Sequence, residues 1–313
     1  MKAIPYHCGE IVVQEQAGSR SVAAQLAHIL QTELPAQARA FLAAQPLLVM
    51  GSADERGRLW ASVLSGLPGF IQAPDSRTLF IAAQPVPGDV LAGNLAVDAP
   101  VGISVVDFAS RRRIRLNGRA HRTEKGIVVA LDEVFFNCPK YIQARQWQTR
   151  PAPSGPAPLG TTAGALTPAF QDLTTRADTF FLASAHRSAG LDVSHRGGQP
   201  GFVQVLDSQT LQWPDYTGNG MFQTLGNLAL SPQAGLLFPD FTTGDVLQLT
   251  GWARTSWNPA HACCCAGAER LVTFRVKEAR ILPQAVPFQW VFESYSPFNP
   301  PAGTVGDTTS TPL

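Results

Sequence analysis

The sequence predicts a mainly β protein with a few short helices, arranged as two tandem barrels or sandwiches, and three observations lead there. The chain has 313 residues, about twice an ordinary single domain. Its 27 glycines and 25 prolines break long helices repeatedly and suit short strands joined by turns. Most tellingly, the chain repeats itself. Leu67-Pro68-Gly69-Phe70-Ile71-Gln72 with Asp75-Ser76-Arg77-Thr78-Leu79 recurs as Gln199-Pro200-Gly201-Phe202-Val203-Gln204 with Asp207-Ser208-Gln209-Thr210-Leu211, offset by 132. At an offset of 133, Gly93-Asn94-Leu95 answers to Gly226-Asn227-Leu228, Asp107-Phe108 to Asp240-Phe241, Asn117-Gly118-Arg119-Ala120 to Thr250-Gly251-Trp252-Ala253, and Pro35 to Pro168.

Element by element, an N-terminal extension over 1–34 carries an amphipathic helix at 21–31, with Val22, Leu26, Ile29 and Leu30 on one face. The first copy is placed at 35–148 and the second at 170–293. Each opens on a short helix with proline in its first turn, Pro35 or Pro168, the latter capped by Thr167. Apolar strands follow at 47–50 and 180–182. The first copy continues with a strand at 61–64, a strand pair at 70–72 and 78–82, a helix near 90–96, and strands at 101–108 and 113–119. In the last of these, Arg113, Arg115 and Asn117 alternate with Ile114, Leu116 and Gly118, the pattern of a strand with one face in the core. Final strands are placed at 128–134 and 271–276. Between the copies, 149–169 reads as a linker, with Pro151, Pro153, Pro156, Pro158 and Pro168 among Ala, Gly and Thr. The tail at 294–313 reads as irregular.

Composition excludes several function classes. Charged residues are only 15% of the chain and hydrophobic residues 45%, which rules out charge-driven disorder. Lys plus Arg is 24 and Asp plus Glu is 23, so no net field draws in a nucleic acid or an acidic membrane. Cys8, Cys138 and the run Cys263, Cys264, Cys265 make no C-x-x-C spacing and are read as reduced thiols. Three consecutive thiols cannot converge on one ion without strain, so no metal is expected. The amino terminus lacks a signal-peptide core and no apolar stretch reaches membrane-spanning length. A cytoplasmic location is the expectation.

The second copy carries Asp192-Val-Ser-His-Arg-Gly-Gly-Gln-Pro-Gly-Phe-Val203, then Pro214-Asp-Tyr-Thr-Gly-Asn-Gly-Met-Phe-Gln-Thr-Leu-Gly-Asn-Leu228, Gly235-Leu-Leu-Phe-Pro-Asp-Phe241 and Leu249-Thr-Gly-Trp-Ala253. In these stretches it resembles the pyridoxamine 5′-phosphate oxidase-like flavoproteins, which are FMN-binding split β-barrels. The first copy resembles the same fold. Its Asn137-Cys-Pro-Lys-Tyr-Ile-Gln143 is similar to a segment of a subgroup known as predicted flavin-nucleotide-binding proteins. The resemblance covers most of residues 40–290. It implies two tandem six-stranded split barrels packed as an intrachain pseudo-dimer, with FMN as cofactor and a small molecule as substrate, the chain acting as a monomer or a homodimer.

A flavin phosphate needs a fixed cation, hydroxyl or amide donors, and preferably the positive end of a helix. Arg196 offers the cation, Ser194 and Thr224 hydroxyls, and Asn219 to Asn227 the turn and helix that face the phosphate in related barrels. The flat ring is placed against Phe202 and Val203. The sequence departs from the family in lacking Arg and Lys over 201–206, in having Met221 where relatives often have Arg, and in lacking the carboxy-terminal substrate arginines. A vitamin-B6 oxidase activity is therefore not implied.

Offset arithmetic sets Leu64 against Arg196 and Leu91 against Thr224, so the first copy lacks the phosphate donors. One flavin per chain is expected, with Trp60, Arg113, Arg115, Lys140 and Tyr141 as candidates for the second wall. Plainer roles stand beside these: a surface arginine at Arg196, loop capping at Asn94 and Asn227, and hairpin geometry at Pro68-Gly69 and Pro200-Gly201. His195 reads as a loop hydrogen-bonder before an acid or base, and Cys138 as packing or substrate contact before a nucleophile. No catalytic residue is singled out. The reading is an FMN-dependent oxidoreductase. Its rivals are a flavin carrier or sensor without turnover, and a haem-binding split barrel using His186, His195 or His261.

Overall fold

In the computed structural model, which describes residues 5–95, 97–150, 160–262 and 265–301, three helices precede the first strand. They are α1 (Cys8–Gln16), α2 (Arg20–Leu26) and α3 (Ala36–Ala43). The sequence pattern missed α1. Its N-terminus is a capping box in which His7 replaces the usual Ser or Thr: the ring accepts from Gly9 N–H at 3.1 Å while the Glu10 carboxylate accepts from His7 N–H at 2.8 Å. The helix expected over 21–31 is shorter, because α2 passes into a 3-10 turn at Ala27–Ile29.

The first half then contributes β1 (Leu47–Ala53), β2 (Leu59–Ser65), β3 (Ile71–Gln72), β4 (Thr78–Ile81), α4 (Leu91–Asn94), β5 (Ala99–Asp107), β6 (Arg112–Thr123) and β7 (Gly126–Asn137). Two short strands follow, β8 (Ala144–Thr149) and β9 (Thr161–Ala163). The second half comprises α5 (Pro168–Arg176), β10 (Thr179–His186), β11 (Gly190–Gly197), β12 (Gln204–Asp207), β13 (Thr210–Tyr216), α6 (Gln223–Leu230), β14 (Gln233–Pro239), β15 (Val246–Ser256), α7 (Pro259–Ala262) and β16 (Ala268–Leu282). A last strand, β17 (Phe288–Ser294), closes the described chain.

Both halves run one topology. The first sheet is ordered β2-β1-β5-β6-β7-β4-β3 and the second β11-β10-β14-β15-β16-β13-β12, with β9 added on β16. Position for position these orders are the same. The sheets hold seven and eight strands rather than the expected six, partly because each carries a short edge strand; β3 pairs only Ile71 and Gln72 with β4. Among the described residues each is an open path of antiparallel strands, not a closed barrel. Each nevertheless curls over its own core. Leu64 at one edge and Ile71 at the other share a cluster with Leu48, Met50, Ile103 and Ile114. In the second sheet, Phe180, Trp213, Phe238, Leu249 and Phe274 do the same. The turns ahead of β3 and β12 need left-handed backbone, supplied by Gly69 (φ +98°) and Gly201 (φ +86°).

A third core lies between the halves, where Val49 and Val63 meet Phe181, Val193 and Leu237. Here the backbones nearly touch. A Cβ on Gly102 would sit 2.7 Å from Asp192 Cα, and one on Gly235 would sit 2.7 Å from Trp60 Cα. Gly235 is the offset counterpart of Gly102, and Asp192 of Trp60. This reciprocity, i to j and j to i, is the contact rule of a two-fold interface. Beyond it, β8 pairs antiparallel with β17, with Trp147 opposite Trp290.

This docking alters three sequence readings. On β6, Ile114 and Leu116 face the first core as expected, but Arg115 and Asn117 are each only 8% exposed, because the second half covers their face. Pro168 belongs to α5, where Thr167 Oγ1 accepts from Phe170 N–H at 3.4 Å; Pro151, Pro153, Pro156 and Pro158 lie outside the described residues. The start of the tail is docked, since Gln143 Oε1 accepts from Ser296 N–H at 2.8 Å and from Asn299 Nδ2 at 3.0 Å. No described helix is long and apolar enough to cross a membrane.

Candidate functional site

At the seam between the halves, β6, β11, β13, α6 and the turn at 137–141 enclose a cleft of ≈ 820 Å³, its open mouth included. Strand alternation aims its charges. Arg113 and Arg115 on β6 share a face, as do Asp192, Ser194 and Arg196 on β11. The opening turn of α6, Gln223 to Leu225, lines the cleft. Phe222 takes a left-handed φ of +57° to start that helix. First-turn amides have no intrahelical acceptor and carry the positive end of the helix dipole.

The ion pairs leave one arginine over. Arg196 Nη1 lies 2.7 Å from Asp215 Oδ1, and Asp215 Oδ2 lies 2.9 Å from Arg270 Nε. Arg270 also pairs with Glu269. Arg115 Nη1 donates to Asp192 at 3.0 Å, and Thr224 Oγ1 donates to the same carboxylate at 3.3 Å. Arg113 has no carboxylate partner among the described residues. Its Nη1 donates to His195 O at 3.1 Å and contacts His195 Nδ1 at 3.2 Å, while its buried Nε meets no acceptor. Burial, with Arg115 and Arg196 nearby, pulls the Arg113 pKa down to about 9. Burial and the Arg113 charge also hold His195 well below the ordinary histidine range. Its imidazole is therefore neutral, with Nδ1 turned to Arg113.

Aromatic rings form the rest of the wall. Tyr141 and Tyr216 have centroids 5.1 Å apart, and burial pushes the Tyr216 hydroxyl up to about 12. Tyr141 OH donates to Thr217 O at 3.0 Å, and Asn219 Nδ2 donates to Asn137 Oδ1 at 3.2 Å, so both contacts stitch the halves together. Cys138 borders the same cleft.

Of the residues singled out from sequence, Arg196, Phe202, Asn219 and Thr224 line this cleft together with Arg113, Arg115, Lys140 and Tyr141. Ser194 is fully buried behind Arg196, accepting from its Nε at 3.3 Å. Val203 is fully buried in the second core. Asn227 faces a different cavity, and its Nδ2 donates to Ser184 Oγ at 3.0 Å. Asn94 repeats that bond to Ser52 at 2.9 Å, so this asparagine tethers helix to strand in both halves. Trp60 is sealed against Gly235, away from the cleft. The sequence reading missed Asp192, Asp215, Gln223 and Arg270. The first three stand inside the quoted motifs, but nothing local marks Asp192 and Asp215 as counter-ions or Gln223 as an acceptor for Arg115.

The corresponding place in the other half is closed. Leu64 and Leu91 are core residues there, and Val246 and Gln248 stand where Arg113 and Arg115 do. Gln248 Nε2 donates to Ser62 Oγ at 3.0 Å and Ser62 Oγ to Asp89 Oδ1 at 2.6 Å, a buried cluster that fills the place, with Gln248 Oε1 unpartnered among the described residues.

Two further groups of side chains bear on cofactors. His7, Cys8 and His186 bring ligand atoms within 4.8 Å of one another, and the two rings stack at 4.0 Å. Both imidazoles, however, spend the Nδ1 lone pair on backbone amides: His7 on Gly9 at 3.1 Å, His186 on Ala189 at 3.1 Å. As arranged, neither offers a lone pair to a cation. His195 meets Phe108 and Phe181 edge-on and lines the seam cleft, with Nδ1 at 3.2 Å from Arg113 Nη1. Cys263 and Cys264 lie outside the described residues.

No protein-family model matches the chain, and no curated protein does. Several solved structures share partial similarity. HupZ from Group A Streptococcus is 12% identical, with 42% of this chain and 98% of that chain covered at a TM-score of 0.29. A FAD-binding protein from Mesorhizobium loti is 14% identical over 40% of this chain and 99% of its own, TM-score 0.26. A Clostridium acetobutylicum protein of the pyridoxinephosphate oxidase family is 10% identical over 38% and 89%, TM-score 0.28.

Proposed function

We propose that the seam cleft binds flavin mononucleotide, one per chain, and that the protein is an FMN-dependent oxidoreductase acting on a small molecule. The observation that carries this reading is Arg113, whose buried Nε is orphaned and which has no carboxylate partner among the described residues, beside Arg196 and the opening turn of α6. A phosphate dianion fits that set: it supplies the missing charge and accepts from the arginine forks, Thr224 and the helix amides. Gly218, whose absent Cβ would meet nothing within 4 Å, leaves room for the backbone to approach. Tyr141, Tyr216 and Phe202 offer faces for a flat ring. When bound, a flavin supplies hydride or single-electron transfer between a donor and an acceptor. The chain's own contribution is to orient that ring, keep His195 neutral beneath Arg113, and exclude water at the seam. The shared strand order and the steady offset support a duplicated split-barrel architecture. The closed Ser62–Gln248–Asp89 cluster supports single occupancy.

Titrating the purified chain with FMN by flavin fluorescence tests this. Saturation at one FMN per chain is expected, and Arg113→Ala and Arg196→Ala should each weaken binding by about 1.5–3 kcal/mol, the worth of a charge-assisted hydrogen bond. Absence of binding, or an Arg113→Ala affinity equal to that of the parent, refutes the site. Steady consumption of NADH or NADPH with FMN present separates an oxidoreductase from a carrier or sensor.

A further inference from the structure

A second cavity, ≈ 910 Å³ with its mouth, lies beyond the contact of Arg115 with Asp192 and Gln223 that walls the flavin cleft. Its lining is rich in carboxyls: Glu10 from α1, Glu133 from β7 and Asp192 from β11, with exposed Asp132 at the rim. Compensation is incomplete. Arg115 is committed to Asp192 at 3.0 Å and Arg119 to Asp98 at 2.7 Å. His7 Nε2 lies 3.6 Å from Glu10 Oε2, but burial and the neighbouring His186 hold the imidazole below its ordinary range. Glu10 and Glu133 therefore share the cavity with no Lys or Arg ion-pair partner of their own among the described residues, although the Arg115 charge still reaches Glu133.

A third acceptor stands with them. Asn117 is 8% exposed, lines the cavity, and donates Nδ2 to Glu133 Oε2 at 2.8 Å, while its Oδ1 accepts from nothing among the described residues. Leaving a buried carbonyl oxygen unsatisfied costs about 1–3 kcal/mol. Pro5, Pro100 and Leu191 supply apolar lining beside these acceptors.

We propose that this cavity binds the primary ammonium group of an alkylamine, with its N–H bonds directed to Glu10, Glu133 and Asn117 Oδ1 and its alkyl chain along the prolines and Leu191. A metal ion fits less well. Asp192, the third carboxylate, is already held by Arg115 and Thr224, and the carboxyls do not gather to the 4.8 Å ligand spacing seen at His7, Cys8 and His186. Burial raises Glu10 to about 8, with the Glu133 and Asp192 charges adding to it, and burial with the Asp192 charge raises Glu133 to about 7. A seated cation would draw both back toward ionisation and release protons near neutral pH.

The inference stands whether or not the adjoining cleft takes a flavin, so its test uses the full chain with no flavin added. Isothermal titration with n-butylamine at neutral pH, in phosphate and in HEPES, neither of which carries a primary amine, reads affinity and proton release together. Saturable binding with proton release is expected for n-butylamine and none for n-butanol. Glu133→Gln and Glu10→Gln should each weaken binding about ten- to hundredfold, and Asp132→Asn should leave it within about twofold, as for an exposed charge. The glutamine at position 10 keeps an oxygen for the α1 cap, and Glu133→Gln does not touch that cap, so one informative variant is spared any folding defect. Lack of saturable binding, equal binding of n-butanol, an unchanged affinity in Glu133→Gln, or displacement by magnesium ion overturns the proposal.

Discussion

Substituting Gly102 by alanine tests the docking of the two halves on which both cavities depend. The new Cβ would lie 2.7 Å from Asp192 Cα and 2.8 Å from both Asp192 N and Leu191 O, where ordinary contact begins at 3.4 Å. All three are backbone atoms, so no rotamer change relieves the clash, and β11 must withdraw by about 0.7 Å, the shortfall from close-packed contact. That strand is locked to β10 through Ser184↔Asp192 and carries the carboxylate gripped by Arg115 and Thr224. Overpacking of this kind costs about 1–3 kcal/mol, and at about 2–4 °C per kcal/mol the melting temperature should fall by about 2–12 °C. Calorimetry of Gly102→Ala and its counterpart Gly235→Ala should show similar losses, since a Cβ on Gly235 meets Trp60 backbone at the same 2.7 Å. Gly93→Ala is the control: its Cβ enters open space and a helix, where alanine is favoured by up to about 1 kcal/mol. If Gly102→Ala melts where the parent does, the halves are not in the contact described.

Asp178→Ala should cost about 3–5 kcal/mol in urea denaturation, because it strands the buried Arg145, whose Nε and Nη1 already lack acceptors; a loss under about 1 kcal/mol would mean that the Phe241 and Phe292 faces satisfy that charge. Leu64→Ala should cost about 2–5 kcal/mol as a core truncation yet leave FMN affinity unchanged, and weakened FMN binding by the folded variant would contradict the single-site reading. Stability should fall as pH rises from 6.5 to 8.5. Glu10 and Glu133 hold their protons more tightly folded than unfolded, with pKa values raised from 4.5 to about 8 and about 7. The stability they favour is present below pH 4.5 and lost through those values, at up to about 1.4 kcal/mol per pH unit for each proton. His7 and His195, held below 6.5, act oppositely but only beneath that pH. Glu133→Gln should flatten the decline, and a parent curve that rises over the window would refute the assignment.

The sequence by itself determined the local order of elements and the repeated motifs of the two halves. Pro-Gly turns, the Thr167-Pro168 helix start and the Ile114/Leu116 alternation are short-range signals, because backbone dihedrals and strand period are set by a few neighbouring residues. An offset of 132–133 residues was likewise enough to anticipate two halves with one strand order. It also marked Arg196, Asn219 and Thr224, which stand in motifs, but placed Val203, Asn227 and Trp60 at a site from which packing removes them. The N-terminal extension shows where such reading ends: α1 is opened by a histidine cap, and its Glu10 reaches a cavity shared with Glu133. Only the docking of one half on the other decided which charges meet. Arg113 is a candidate for the second wall from sequence, but that it lacks a carboxylate partner among the described residues, while Asp192 is taken by Arg115, is decided by the packing of β6 against β11. Burial and charge compensation depend on distances between elements far apart in the chain, and no periodicity within either element encodes them.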